Sequence, residues 1–291
     1  MASAELRQIR RRIRSVESTM KITRAMELIA TARIGKARSR LSASRPYAEK
    51  LDEVIRNVSG SGGAKHPLLE RPDVDTVGVL IVTSDRGLAG GYNTGVIRLA
   101  EREILRHRER GTGVHLSVVG QKALSYFRYR KYQIEHAWLG ITDLPAYANA
   151  RAIANTILND YAEKSVDAFE VFTTQYVSAL TQSAVHHSLL PIETPSRDDA
   201  ATGAAAYNFE PSPEAILDRL LPRYLEGAVF GVLLEASASE HAARRRAMKA
   251  ATENAEELTH ILTREANQAR QAEITTEISE IVGGAEALAH G

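Results

Sequence analysis

The sequence predicts an α/β chain in which two long terminal helices pack on each other as an antiparallel coiled coil and carry an inserted α/β domain between them. Three observations lead there. Helix-period apolar stripes run far along both ends of the chain. The middle alternates apolar strands with helical segments. The ends also carry opposite charge: residues 1–45 hold twelve Lys/Arg and three Glu, and residues 212–288 hold eight Lys/Arg and thirteen Asp/Glu.

The first helix is expected over 1–58. Leu6, Ile9, Ile13, Val16 and Met20 fall in steps of three and four, and Ile22, Met26, Ile29, Leu41, Leu51, Ile55 and Val58 continue the stripe. Pro46 should kink or interrupt it. At 1.5 Å per residue the helix would span roughly 80 Å, too long for the interior of one compact domain. Ser59-Gly60-Ser61-Gly62-Gly63 then reads as a breaker.

The central domain is expected over 75–195. Val77 to Thr83 is a continuous apolar run, suited to a strand buried on both faces. A helix follows from Tyr92 to Arg110, a strand from Val114 to Val119, and a short helix from Gln121 to Arg130. Further strands are expected over Ile134–Leu139, Phe169–Ala179 and Ala184–Ile192, with a helix over Tyr147–Tyr161. This order implies a mainly parallel sheet with helices on its faces and an antiparallel edge.

The last helix is expected over 209–288, with Pro213 in its first turn. Leu217, Leu220, Leu221, Tyr224 and Leu225 open its stripe, and Ile274, Ile278, Ile281 and Leu288 close it. Between them, Ala236–Ala255 holds eight alanines, which would let two helix backbones approach closely. Two over-long stripes of opposite charge are best satisfied by each other.

Composition narrows the function classes. With 291 residues, 44% hydrophobic and 25% charged, the chain reads as soluble and globular. It has no cysteine, which excludes disulfides, Cys-ligated zinc and thiol catalysis. No apolar run reaches the roughly 18 residues of a membrane span. Glu5, Glu17 and Glu27 argue against a transit peptide, so a cytosolic protein is expected.

Four sets of residues invite a chemical reading. The segment Ser84–Asn93, with Gly87, Gly90 and Gly91, follows a strand and opens a helix, where phosphates often bind. Its spacing fits neither the dinucleotide fingerprint nor the P-loop, so a tight turn is the better account. His186 and His187 are adjacent in a strand and point to opposite faces, which argues against a shared metal. The basic run Arg7 to Arg14 lacks interleaved aromatics for stacking on bases, so a charged outer helix face is preferred to nucleic-acid binding. Arg244-Arg245-Arg246 is either a solvated helix face or a contact for an acidic partner, and the residues alone leave both readings open.

Three stretches together resemble the gamma subunit of F-type ATP synthases: residues 9–34, IRRRIRSVESTMKITRAMELIATARI; residues 82–93, VTSDRGLAGGYN; and the pair SEHAARRRAMKAATENAEEL and ARQAEITTEISEIVGGAEAL within residues 239–288. The resemblance implies a Rossmann-like central domain that binds no cofactor and no metal, and a non-catalytic rotor shaft. The shaft would stand inside a ring of alpha and beta subunits, with its foot on the c-ring beside the epsilon subunit. It implies a peripheral place on the cytoplasmic side of the cell membrane, touched only through the c-ring, and no nucleic-acid partner.

Partner-contact positions carry over residue by residue. Met26 matches a methionine near the acidic loop of beta, and Arg244 matches a coupling arginine on the C-terminal helix. Arg270 and Gln271 match a pair that bonds an acidic catch loop of beta, with Thr275 and Glu277 just beyond. Tyr207 matches a foot position near epsilon and the c-ring. The cysteine pair of chloroplast relatives is absent. Against the rotor stand two other readings: an enzyme using the Gly87–Gly91 loop, and a nucleic-acid tether using the basic arm.

Overall fold

The computed structural model describes residues 2–60, 66–70, 73–192, 210 and 212–289. The element order is α1 (Ala2–Gly60), β1 (Thr76–Val82), α2 (Tyr92–Glu109), β2 (Gly113–Val119), α3 (Gln121–Tyr129), β3 (His136–Trp138), α4 (Tyr147–Ala162), β4 (Ala168–Tyr176), β5 (Gln182–Leu190) and α5 (Pro213–Ala289). The fold class is the expected one. The chain divides into two compact units, one of residues 1–29 with 245–291 and one of residues 30–244.

In the larger unit five strands form one sheet in the order β3-β2-β1-β4-β5. β3, β2, β1 and β4 run parallel, and β5 closes the edge antiparallel to β4. Alternation along β1 sets the two faces. Val77, Val79 and Ile81 join Leu116, Val118 and Phe172 beneath α2 and α3. Leu80 and Val82 join Val119 and Val171 on the other face, with Ile153 and Ile157 of α4. Leu51, Ile55 and Val58 of α1 complete that face with Leu217, Leu221, Leu225, Val229 and Leu233 of α5. Those α5 positions recur every fourth residue, so the helix presents one apolar ridge to the sheet. Tyr47 of α1 lies beside Gly227 while Leu51 to Val58 share a core with Leu217 to Leu225, so the helices run antiparallel here.

In the smaller unit Leu6 and Ile9 pack with Leu262 and Ala266. The hydroxyls of Thr23 and Thr252 meet at 2.8 Å, buried between the helices. Rising numbers on α1 again match falling numbers on α5.

Three expectations need correction. Pro46 does not interrupt α1. It sits on the exposed side, where the Ser42 carbonyl that loses its helical partner is open to water. β3 is three residues rather than six: the chain before it is still turning out of α3, with Lys131 at φ +60° and the Tyr132 amide bonded back to the Phe127 carbonyl, so the ladder with β2 begins only at His136 opposite Ser117. The alanine-rich stretch of α5 serves the α/β domain as well as α1: Ala236, Ala238, Ala242 and Ala243 are buried within the larger unit. Among the described residues no helix is long and apolar enough to cross a membrane.

Candidate functional site

Two places hold most of the residues that the sequence singled out. The first is a buried polar junction in the larger unit, at the carboxyl ends of β1 and β2. Here β1 leads into Thr83 and Ser84, both without solvent exposure. Thr83 donates to the Val119 carbonyl and accepts from the Ala123 amide at 2.9 Å, which ties β1 to the start of α3. The Ser84 amide donates to Asn93 Oδ1 at 2.9 Å. Asp85 accepts from the amides of Gln121 and Thr142, and from the Thr142 hydroxyl at 3.0 Å. Its carboxylate is therefore spent on holding three loops together. Gly120 takes φ +93°, and a Cβ there would stand 2.3 Å from the Thr83 carbonyl oxygen, so only glycine fits.

The glycine loop is a dock for α5. The Arg244 guanidinium donates to the Gly87 carbonyl at 3.3 Å and to Glu240 Oε1 at 2.6 Å. Ala89 and Tyr92 pack on Ala243, and the Tyr92 hydroxyl donates to the Ala236 carbonyl at 3.2 Å. Nearby, Ser237 donates to the Asp143 carbonyl, and Arg33 of α1 pairs with the Asp143 carboxylate. Ser239 donates to the Thr174 carbonyl of β4 at 3.1 Å.

Burial sets the protonation behaviour of this junction. Desolvation pushes the Glu240 carboxyl up, against the opposing charge of Arg244. Desolvation lowers the His241 imidazole, against the neighbouring Asp143. Burial also pushes Asp143 upward, but Arg33, His241 and Arg86 together hold it below the usual carboxylate range. Burial and then the Glu240 charge drive the Tyr92 phenol well above its ordinary value.

Arg244 is thus neither on a solvated face nor reaching outward; its side chain is spent inside its own chain. Arg245 is half-buried and Arg246 exposed. The sequence reading missed Glu240, His241 and Asp143. Glu240 and Arg244 stand four residues apart on a helix, a spacing that pairs charges, and that signal was available.

The second place is the far stretch of α5 in the smaller unit. The first turns of α1 pack opposite Leu262 to Ala266, with Ala269 at the margin. Beyond that, Ile274, Ile278, Ile281 and Val282 are 44%, 56%, 72% and 52% exposed. Arg270, Gln271, Thr275 and Glu277 are exposed as well. At about 100° per residue these eight side chains fall within an arc of roughly 160°. The four polar residues therefore border an uncovered isoleucine-rich stripe. Met26 is half-buried on α1, next to exposed Ile22, Leu28 and Ile29. Tyr207 lies outside the described residues.

His186 stacks on the Phe172 ring, while His187 lies near Glu235, so the two do use opposite faces of β5. Among the described residues no group of three or more His, Cys, Asp or Glu could hold a metal ion.

Comparison with known proteins agrees with this geometry. Residues 5–288 match the family described as ATP synthase. The ATP synthase gamma chain of Parafrankia sp. (strain EAN1pec) is 48% identical over 296 residues, covering 99% of each chain. That of Mycolicibacterium smegmatis is 46% identical over 303 residues, again covering 99% of each. Among solved structures, a chain of the Euglena gracilis mitochondrial ATP synthase (OSCP/F1/c-ring, rotational state 3) aligns with a TM-score of 0.66 at 17% identity, covering 98% of this chain and 95% of that one. A chain of the Tetrahymena thermophila mitochondrial ATP synthase central stalk and c-ring aligns at 0.61 with 24% identity, covering 79% and 99%. With its whole length matched in sequence and in fold, the chain belongs to the ATP synthase gamma-chain family.

Proposed function

We propose that the chain is the non-catalytic rotor of an F-type ATP synthase, coupling rotation of a membrane-embedded c-ring to nucleotide chemistry in surrounding alpha and beta subunits. The observation that carries this reading is the uncovered stripe from Ile274 to Val282, bordered by Arg270, Gln271, Thr275 and Glu277. Burying such side chains contributes about 25 cal/mol per Å² of apolar surface, so the stripe favours an enclosing partner. Charge-assisted bonds from Arg270 to carboxylates would be directional, and they must break and re-form on each turn. A shaft that presents different faces in turn shifts each beta subunit among its conformations, because each conformation binds those faces differently.

Torque requires that the α/β domain not slip on α5. The bonds Arg244 to Gly87, Tyr92 to Ala236 and Ser239 to Thr174 supply that grip at three places along α5. Arg244 then acts on coupling through the loop that it holds. Met26 and the exposed Ile22, Leu28 and Ile29 form a second face toward the ring. The α/β domain, with the ends of α1 and α5 beside it, forms the foot on the c-ring next to epsilon, with Tyr207 assigned to that contact. The protein is held at the cytoplasmic side of the cell membrane through the c-ring, and uses no cofactor.

The test is affinity purification of the tagged chain from membrane extract, with ATPase assays. Recovery of alpha, beta, epsilon and c subunits, with ATPase activity in the complex and none in the isolated chain, is the expected result. A chain recovered alone that binds and turns over nucleotide would overturn the reading.

A further inference from the structure

His241 is buried on α5, and its hydrogen bonds fix where its proton sits. Nδ1 lies 3.4 Å from Arg244 Nη1. A guanidinium can only donate, so Nδ1 must offer a lone pair. The ring proton is then on Nε2, which donates to the Asp143 carbonyl at 3.4 Å. The same Nε2 stands 3.5 Å from Asp143 Oδ1, a buried oxygen that accepts no hydrogen bond among the described residues. His241 is therefore a neutral imidazole in one tautomer. It accepts from Arg244 on one side and donates to the loop before α4 on the other.

A second proton would reverse this arrangement. With Nδ1 protonated, two donors and two positive charges would face each other across the Arg244 contact. The attraction of Nε2 to the Asp143 carboxylate would grow at the same time. Both effects draw the ring toward Asp143 and push the Arg244 guanidinium away. Arg244 holds the Gly87 carbonyl by bonds of 3.3 Å and 3.4 Å, long enough that a small displacement breaks them.

The charged and titratable groups around this pair come from every element packed on it. They are Arg33 of α1, Asp85 and Arg86 of the loop after β1, Tyr92 of α2, Asp143 of the loop before α4, and Glu240 of α5. Against the upward push of burial, Arg33 and its other partners hold Asp143 below its ordinary 3.8, so it stays ionised where an imidazole titrates. Burial, then the Glu240 charge, keeps the Tyr92 phenol neutral. Burial raises Glu240, so its protonation favours the folded junction, the opposite sign to His241. Loosening on acidification therefore points to the imidazole.

We propose that His241 is a proton-sensitive latch on coupling. A proton taken up at Nδ1 transfers its hold from Arg244 to Asp143 and releases the Gly87 loop from α5, so that the α/β domain slips under torque. The inference rests on the rotor reading, in which α5 must carry that torque. His241 acts through Arg244 and is a positioning residue. Because burial lowers the imidazole from 6.5, the latch is shut at neutral pH and opens only below that value.

The test uses the complete complex reconstituted in vesicles, with pH on the side of this chain varied from about 7.5 to about 5. Two quantities are read, each relative to the same protein at neutral pH. One is hydrogen exchange of the amides of residues 86–91, corrected for the intrinsic effect of pH. The other is the ratio of ATP-driven proton pumping to ATP hydrolysis. In the parent, acidification should raise loop exchange on the order of fivefold, the effect of one lost hydrogen bond, and the pumping ratio should fall over the same range. His241→Gln can still donate to Asp143 but gains no proton, so both of its profiles should stay flat. Flat exchange in a parent complex that pumps would overturn the latch, whether or not the variant folds. So would an equal rise in parent and His241→Gln, or a rise with no fall in the pumping ratio. A parent chain that joins no ATPase would refute the rotor reading and the latch with it, a result distinct from a pumping complex with an unresponsive loop.

Discussion

Glu240 and Arg244 stand one turn apart on α5 and close a buried ion pair of 2.6 Å, with side chains only 2% and 9% exposed. Arg244 reaches past this pair to the Gly87 carbonyl, so one guanidinium joins its own helix to the loop after β1. Removing one member of a buried pair strands the other charge. Arg244→Ala should therefore lower the stability of the larger unit by about 3–5 kcal/mol, measured by urea unfolding followed by far-ultraviolet circular dichroism. The double change Glu240→Leu with Arg244→Met removes both charges and should recover most of that loss. A single change as mild as a surface substitution would contradict the grip assigned to this pair.

The junction should also respond to pH, with two opposite signs. His241 is lowered by burial from its ordinary 6.5, so the unfolded chain takes up a proton first as pH falls. Its contribution is present above 6.5 and is lost on acidification through that value toward the folded one. Glu240 is raised by burial from 4.5, so its folded form holds a proton longer, and stability declines as pH rises through that window. Relative to the parent, His241→Gln should gain stability as pH falls, and Glu240→Gln should gain it as pH rises. Thermal melts across about pH 5 to pH 8 check both slopes.

Backbone demands separate two glycines. At Gly120 a side chain would meet both a positive φ and the Thr83 carbonyl at 2.3 Å, so Gly120→Ala should cost about 3 kcal/mol or more. Gly95 sits on the exposed side of α2, where a Cβ would make only ordinary contact with Ala184 at 3.8 Å. Gly95→Ala should stabilise by about 0.5–1 kcal/mol. Denaturation midpoints of the two variants should move in opposite directions.

The α5 stripe yields a prediction about assembly rather than folding. Ile278 and Ile281 are 56% and 72% exposed, so Ile278→Asp with Ile281→Asp should change the stability of the free chain by less than about 0.5 kcal/mol. The same change should weaken assembly with alpha and beta subunits. Arg270→Ala with Gln271→Ala should lower ATP-driven proton pumping in reconstituted vesicles while the α/β domain stays folded. Parent-level pumping by that variant would remove the catch-loop role.

Periodicity and alternation made the secondary structure legible. The apolar run at Val77 to Thr83 became the central strand, and the long stripes became α1 and α5 with ends displaced by only a few residues. Opposite charge at the two ends anticipated antiparallel pairing, which each compact unit shows. Local pattern failed where a neighbour decided. β3 was read too long because the turn out of α3, at Lys131 and Tyr132, takes up the chain before His136. Pro46 was read as an interruption because sequence does not reveal which side of a helix is wet.

The sequence by itself determined which segments are helix and strand, and that one end of α5 carries isoleucines bordered by Arg270, Gln271, Thr275 and Glu277. Those properties follow from side-chain spacing along a single element. Only the tertiary structure decided that Arg244 faces inward to Glu240 and Gly87, that Asp85 is consumed by Thr142 and Gln121, and that Arg108 lies over the Tyr132 ring while Arg130 bonds Glu101. Each of those contacts joins residues whose meeting depends on how the elements pack. The free energy of a charge changes with burial and partner, and neither is written in its local sequence.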